Sequence, residues 1–347
     1  MPSFRLRYAL FVTCCSLIAL PPATGQPAFR FSPQVTATNA SLRGLSVVDG
    51  NVAWASGSGG TVLRTTDGGT TWQQCPVRGA DSADFRSLYA FNADEALVLS
   101  AGTPALLYHT TDGGATWQLR YENRSPDIFF DALSFWNATH GVAMSDPIDG
   151  QFVLIVTHDG GQRWKPLPTN ELPPPASGEA GFAASGTGVV THGNKLVWFA
   201  TGGTRARVFR SGDQGVRWTV APTPMQQGTP SQGIFSLVFA DSLRGVAVGG
   251  NYLQPADTTR NACFTTDGGR TWQLPETSPK GYRSAVAYHP PTRLLFTVGP
   301  SGSDYSTNHG RTWQFLDTVG YHTVRFAPEQ RVGWVAGSDG RIARIGW

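Results

Sequence analysis

The sequence predicts an all-β fold, a seven-bladed β-propeller of four-stranded antiparallel blades. Three observations carry that prediction. A stretch of the form TTDGGTTW recurs six times, closing on Trp72, Trp117, Trp164, Trp218, Trp272 and Trp313. Those tryptophans lie 45, 47, 54, 54 and 41 residues apart, about the length of one four-stranded blade with variable loops. The composition is that of a loop-rich β protein: 41 of 347 residues are glycine and 15% are charged, against a typical ~7% and ~25%. Beyond the N-terminus no stretch sustains a 3.6-residue apolar period with caps.

The first 25 residues read as a signal peptide. Arg5 and Arg7 precede an apolar run over 8–20, too short to span a bilayer, and Ala23-Thr24-Gly25 is a small-residue cleavage site. The expectation is a secreted or periplasmic protein cleaved near Gly25, with a single propeller domain over 26–347. A lipoprotein signal through Cys14 or Cys15 is the alternative. Cleavage leaves 25 basic and 24 acidic side chains, so no nucleic acid or anionic membrane is called for. No later stretch approaches a membrane helix. Cys75 and Cys263 fall in distant repeats and read as two buried thiols. A monomer is expected.

Each repeat reads as four strands, a to d. Strand a recurs at 45–48, 85–91, 130–136, 181–185, 235–239, 283–288 and 322–326, seven inner strands against six boxes. The last repeat stops at Trp347 after strand c. The stretch 34–38 is an unpartnered strand, and the economical arrangement uses it as the missing outer strand of blade seven. That closes the ring and leaves no raw sheet edge. The stretches 172–175 and 252–261 read as loop insertions.

The repeated box has a structural job. An Asp-Gly-Gly turn lets the carboxylate accept from backbone N–H groups just ahead of it, and glycine takes backbone angles that a Cβ resists. The structural residues are therefore Asp67, Asp112, Asp159, Asp213 and Asp267, with the six tryptophans packing between blades. In the fourth and sixth copies the pattern decays to Asp213-Gln214-Gly215 and Asn308-His309-Gly310. A turn tolerates that decay; a repeated metal site would not, so no metal is expected.

This stretch resembles the Asp-box, or BNR, repeat, over nearly the whole chain after residue 25. Asp boxes occur in sialidases and other glycosidases, in sortilin-type receptors and in photosystem II assembly-factor-like proteins. The even spacing and the text GSGGTVLRTTDGGTTW look most like the last group. That resemblance implies a propeller acting as a binding or assembly module, with a protein partner. A sialidase would carry an Arg-Ile-Pro motif, a Tyr–Glu nucleophile pair and an aspartic acid. This chain has only Phe29-Arg30-Phe31 at the corresponding place.

A propeller's ligands sit at the axial mouth, built by loops that enter strand a or join b to c. The first residues of the seven inner strands read Arg43, Arg86, Asp131, Ala180, Phe235, Arg283 and His322, and neighbouring loops add Glu122, Asp146, Glu179, Arg205 and Tyr305. The expected ligand site is Arg43, Arg86, Asp131, Arg283, His322, Arg205 and Tyr305. Three guanidinium groups converging on one axis suit a carboxylate or phosphate, on a protein partner, a small ligand or a glycan. The competing reading is that they pair with Asp131, Glu179 and Asp146 and fill a wet channel. As a second function class, a glycoside hydrolase would use Asp131 with Glu179 or Asp146 across the scissile bond. A third, an oxidoreductase, finds no dinucleotide fingerprint, and no cofactor is expected.

Overall fold

The computed structural model describes residues 28–347. The targeting segment, its cleavage site, Cys14 and Cys15 lie outside the described residues. The described residues form seven antiparallel sheets arranged as blades, and the only helical turn among them is the 3-10 segment Pro290–Thr292. Blade 1 is Leu42–Val47, Ala53–Gly57, Val62–Thr65 and Gln73–Gln74; blade 2 is Asp84–Ala90, Ala96–Ala101, Ala105–Thr110 and Gln118–Asn123. Blades 3 and 6 repeat the pattern from Phe130–Phe135 and Ala285–His289.

Blade 7 closes the ring. Its inner three strands are Thr323–Phe326, Val332–Ala336 and Ile342–Gly346, and its outer strand is Arg30–Gln34 from the other end of the chain. The closing strand therefore lies four residues earlier than the stretch 34–38 read from sequence. Apolar anchoring sets the position. Phe29 and Phe31 pack onto Phe296, whereas Val35 is 90% exposed. Gln34 then ties blade 7 to blade 1: its Oε1 accepts from the indoles of Trp72 and Trp334, both at 2.9 Å, and its Nε2 donates to Gly68 O.

Blade 4 also differs from expectation. Its strand a is Val189–His192, paired with Leu196–Ala200, and not the run 181–185. The β-branched Val189-Val190-Thr191 followed by a Gly193 turn is the stronger strand signal. The displaced run has another place. Glu179–Ala180 pairs with Gly202–Gly203, which adds to the inner edge of blade 5 through Gly202 and Gly233, making that sheet five-stranded. Residues 181–187 then enter the axis. Ser185 Oγ donates to Ser284 O of blade 6, Thr323 of blade 7 donates to Ser185 O, and Thr187 bonds Ser236 of blade 5. Gly186, at φ +64°, lies against the backbone of Arg86 and Ser87 in blade 2, where a Cβ would meet it at 3.0 Å. The channel thus has a floor.

Between blades the sheets present aromatic and aliphatic faces to each other. Trp198 stacks on Phe239 at 3.7 Å, Tyr89 meets Phe135 at 4.7 Å, and Trp54, Trp198 and Trp334 are fully buried. Full burial of each such ring contributes on the order of 2–3 kcal/mol. Cys75 and Cys263 are free and buried, as expected.

The boxes are turns, each built alike. The Asp67 carboxylate accepts from Thr71 N at 2.9 Å and Thr71 Oγ1 at 2.7 Å, and Thr65 Oγ1 accepts from Gly69 N at 2.8 Å. Asp112, Asp159, Asp213 and Asp267 repeat the bond to the amide four residues on. Asn308 does the same in the sixth copy, accepting from Thr312 N at 3.0 Å. The following glycine leans on the adjacent a–b turn, as in Gly113 N to Asp94 O at 2.8 Å. Boxes and a–b turns therefore share one face of the ring.

Candidate ligand site at the axial mouth

The opposite face carries a cavity of about 550 Å³ at the axis. A backbone device places its charges. Strand a contains a register shift at Arg43 in blade 1, at Arg86 in blade 2, at Asp131 in blade 3 and at Phe235 in blade 5. Such a bulge inserts one residue, twists the strand and re-aims a side chain. Arg43, Arg86 and Phe235 line the cavity, and so does His322 at the head of blade 7.

The two arginines are held by the floor. Arg43 Nη1 donates to Ala184 O at 3.1 Å, and Arg86 Nη1 to Ala183 O at 3.5 Å. Arg86 Nε also pairs with Asp84 at 2.7 Å. Among the described residues, no hydrogen bond or ion pair reaches Nη2 of either guanidinium. Burial, and then the Arg86 charge, pull the Arg43 guanidinium below its ordinary value, although it stays charged at any physiological pH. Burial, helped by Arg43, Arg86 and Arg341, pushes the His322 imidazole down to about 4. It is neutral at pH 7 and bonded to Ser338 at 2.9 Å.

Asp131 and Asp146 are neighbouring acids at the floor: Asp146 is half-buried and lines the cavity, and Asp131 is fully buried. Burial, then the neighbouring Asp146 charge, hold Asp131 well above the carboxylate range, and Arg86 opposes that rise. Burial raises Asp146 to about 6, although Gly181 N donates to it at 2.7 Å. Asp131 is buried against Gly181. Neither Asp131 carboxyl oxygen has a hydrogen-bond partner among the described residues.

The structure does not bring the rest of the expected set to the mouth. Arg283 is fully buried and paired with Asp304 at 2.5 and 2.7 Å, with further bonds to Tyr282 O, Ser301 Oγ and Lys280 O. Strand a of blade 6 has no bulge. The alignment is therefore off by one there, and one residue flips a side chain to the other face. Ser284 takes the place at the cavity. Tyr305 is buried on strand c of blade 6, against Phe29, with its hydroxyl on Gln314. Arg205 is exposed and lines no part of the cavity. Glu179 is held by Arg207, Thr201 and Ala176 N. Glu122 pairs with Arg124 on the outer strand of blade 2.

Sequence reasoning missed the second wall. Phe182, Tyr252 and Tyr282 line the cavity with the arginines, together with Phe235. Tyr252 opens the 252–261 insertion, and Tyr282 immediately precedes Arg283; the off-by-one alignment concealed it. Tyr282 stands near Arg43, but no glutamate lines the cavity, so a Tyr–Glu pair is not assembled there.

Fold and boxes together define an Asp-box β-propeller with a cationic and aromatic axial mouth. Residues 32–128 match the family model described as photosynthesis system II assembly factor YCF48. The resemblance read from the boxes is borne out by that match. A solved structure titled YCF48 bound to D1 peptide is similar over 94% of this chain and 99% of its own, at 18% identity and TM-score 0.57. YCF48 from Cyanidioschyzon merolae is similar over 91% and 98%, at 20% identity and TM-score 0.56. U3-55K shares the architecture over 92% and 98%, at 12% identity and TM-score 0.62. Likeness at such identities shows the fold. No curated protein matches the chain.

Proposed function

We propose that this protein is an exported binding or assembly-factor-like module whose axial mouth receives an anionic group of a protein partner. The observation that carries the reading is the convergence of Arg43 and Arg86 from adjacent blades. Both are turned into one cavity by bulges, and each keeps a donor that no protein group takes. Two guanidiniums at close quarters repel unless an anion sits between them. The carboxylate of Asp84 answers one of them, which leaves the other for a ligand. A solved structure of similar fold is titled as bound to a D1 peptide, and that supports a peptide partner here.

Thermal denaturation tests the site. Carboxylates such as sialic acid or a uronate should raise the melting temperature in proportion to the logarithm of concentration. Arg86→Ala should abolish the rise while leaving the melting of free protein nearly unchanged. Hydrolysis of a fluorogenic sialoside, lost in Asp131→Asn, would replace the binding reading with a hydrolase. Export is tested separately: the N-terminal residue of protein recovered from periplasm or medium should be close to Gln26.

A further inference from the structure

We propose that the mouth selects a monoanionic aromatic acid, a carboxylate carried on or close to an aromatic ring. This rests on the anion-site reading above and adds the chemical class. The cavity has two unlike walls. One is Arg43 and Arg86. The other is a cluster in which Phe182 stacks on Phe235 at 3.7 Å, Tyr282 meets Phe235 edge-on at 4.8 Å, and Tyr252 continues the cluster to the rim at 6.1 Å. Phe182 is half-buried, and Tyr252 is 46% exposed. Aromatic faces thus stay open to an occupant, and offset or edge-on contact with a third ring suits them.

Tyr282 is the independent sign of a ligand. It is only 5% exposed and lines the cavity near Arg43, and none of the hydrogen bonds among the described residues involves its hydroxyl. Its hydroxyl is thus a donor free to serve an occupant of the cavity, and a carboxylate oxygen lying between Tyr282 and Arg43 would accept from both. The charge balance argues for one negative charge. Arg43 and Arg86 face Asp84, His322 is neutral, and the Asp131–Asp146 pair only adds negative charge as pH rises through about 6, so the mouth carries at most one net positive charge. A charge of at most one is suited by a carboxylate and exceeded by a dianionic phosphate.

Calorimetric titration of the whole protein with benzoate, cyclohexanecarboxylate, acetate and phosphate tests the inference. Benzoate is expected to bind roughly tenfold tighter than acetate, about the discrimination that one favourable ring contact supplies. It should also exceed cyclohexanecarboxylate, which has the volume but no π face. Tyr282→Phe should weaken every carboxylate ~3-fold or more. Tyr252→Ala, at the exposed rim where folding is not at stake, should lower benzoate affinity and leave acetate unchanged. If the acids bind equally and Arg86→Ala abolishes them all, the anion site stands and the aromatic selectivity is wrong. Phosphate binding tighter than any carboxylate would overturn the monoanion argument. If no anion binds, the anion-site reading fails and takes this inference with it.

Discussion

The two faces of the ring treat the same chemical group in opposite ways. On the box face, hydrogen bonds from Thr71 hold the Asp67 carboxyl at about 2, and those from Thr116 do the same for Asp112. At the mouth, burial lifts Asp146 to about 6 and holds Asp131 well above the carboxylate range. The box carboxylates are exposed, and each is answered by its own turn four residues on. The mouth carboxylates are buried and answered by another acid and by a loop from a different blade. A repeated group with a local partner maintains the fold. A group without one is where the molecule departs from its repeat, and there a ligand has something to contribute.

The largest test of this division removes the strand that joins the ends. Deleting residues 28–34 strips the outer strand of blade 7 and the Gln34 tie to the first box. The exposed edge should cause aggregation or lower the melting temperature by ~10 °C or more; an unchanged melting curve would show that the ring does not depend on its closure. The next effect is one of pH. Asp146 has its folded value raised above the ordinary 3.8. Its contribution to stability is therefore full below about pH 4 and is lost as pH rises through about 6. Asp146→Asn should stabilise the protein at pH 8 relative to wild type and flatten the melting temperature between pH 5 and 8. Anion affinity in wild type should fall over the same window, as the pair gains a negative charge beside Arg86.

The box face should answer with the opposite sign. Asp67, Asp112 and Asp267 are depressed to about 2, so their contribution is present above about pH 4 and is lost as pH falls through about 2. Asp267→Ala removes bonds to Thr271, Thr265 and Arg270 N. It should cost ~1 kcal/mol, about 2 °C in melting temperature, and leave ligand affinity untouched. Lost affinity in the folded variant would put the site on the wrong face. The smallest effect belongs to Asn308→Asp. The decayed sixth box already makes the turn bonds, so restoring the carboxylate should change stability by no more than ~0.5 kcal/mol.

The blades and boxes were legible because the repeat writes each of them locally: a turn, a hydroxyl two residues before the acid, a tryptophan after it. Closure was legible as a count, seven inner strands against six boxes, and its register was not. Phe29 and Phe31, not the alternation over 34–38, decide which residues pair. At the mouth, Arg43 and Arg86 could be placed because strand a begins at comparable text in both blades. Arg283 could not: the bulges that occur in four blades and not in blade 6 are backbone events with no residue signature, and one residue moves a side chain from the axis into the sheet. Asp304, which neutralises Arg283, stands twenty-one positions away on strand c. The run 181–185 is apolar and small enough to pass for a strand, and its burial comes from the axis rather than from a blade.

The closing strand has a consequence for the order in which the molecule can be made. Arg30 pairs with Gly346, and the Gln34 side chain meets Trp334 across 300 positions. The first blade material synthesised must wait for almost the last before either has a partner, and contacts so remote in sequence form slowly. A circular permutant that joined Trp347 to residue 28 and opened the chain between Gln34 and Leu42 would draw every blade from continuous sequence. Blade 7 would then complete itself as soon as it emerged. The same seven sheets would result, held at the junction by packing and by the bonds of Gln34 to Gly68 and Trp72, and the two versions would differ in how long the unfinished edge stands open to other chains.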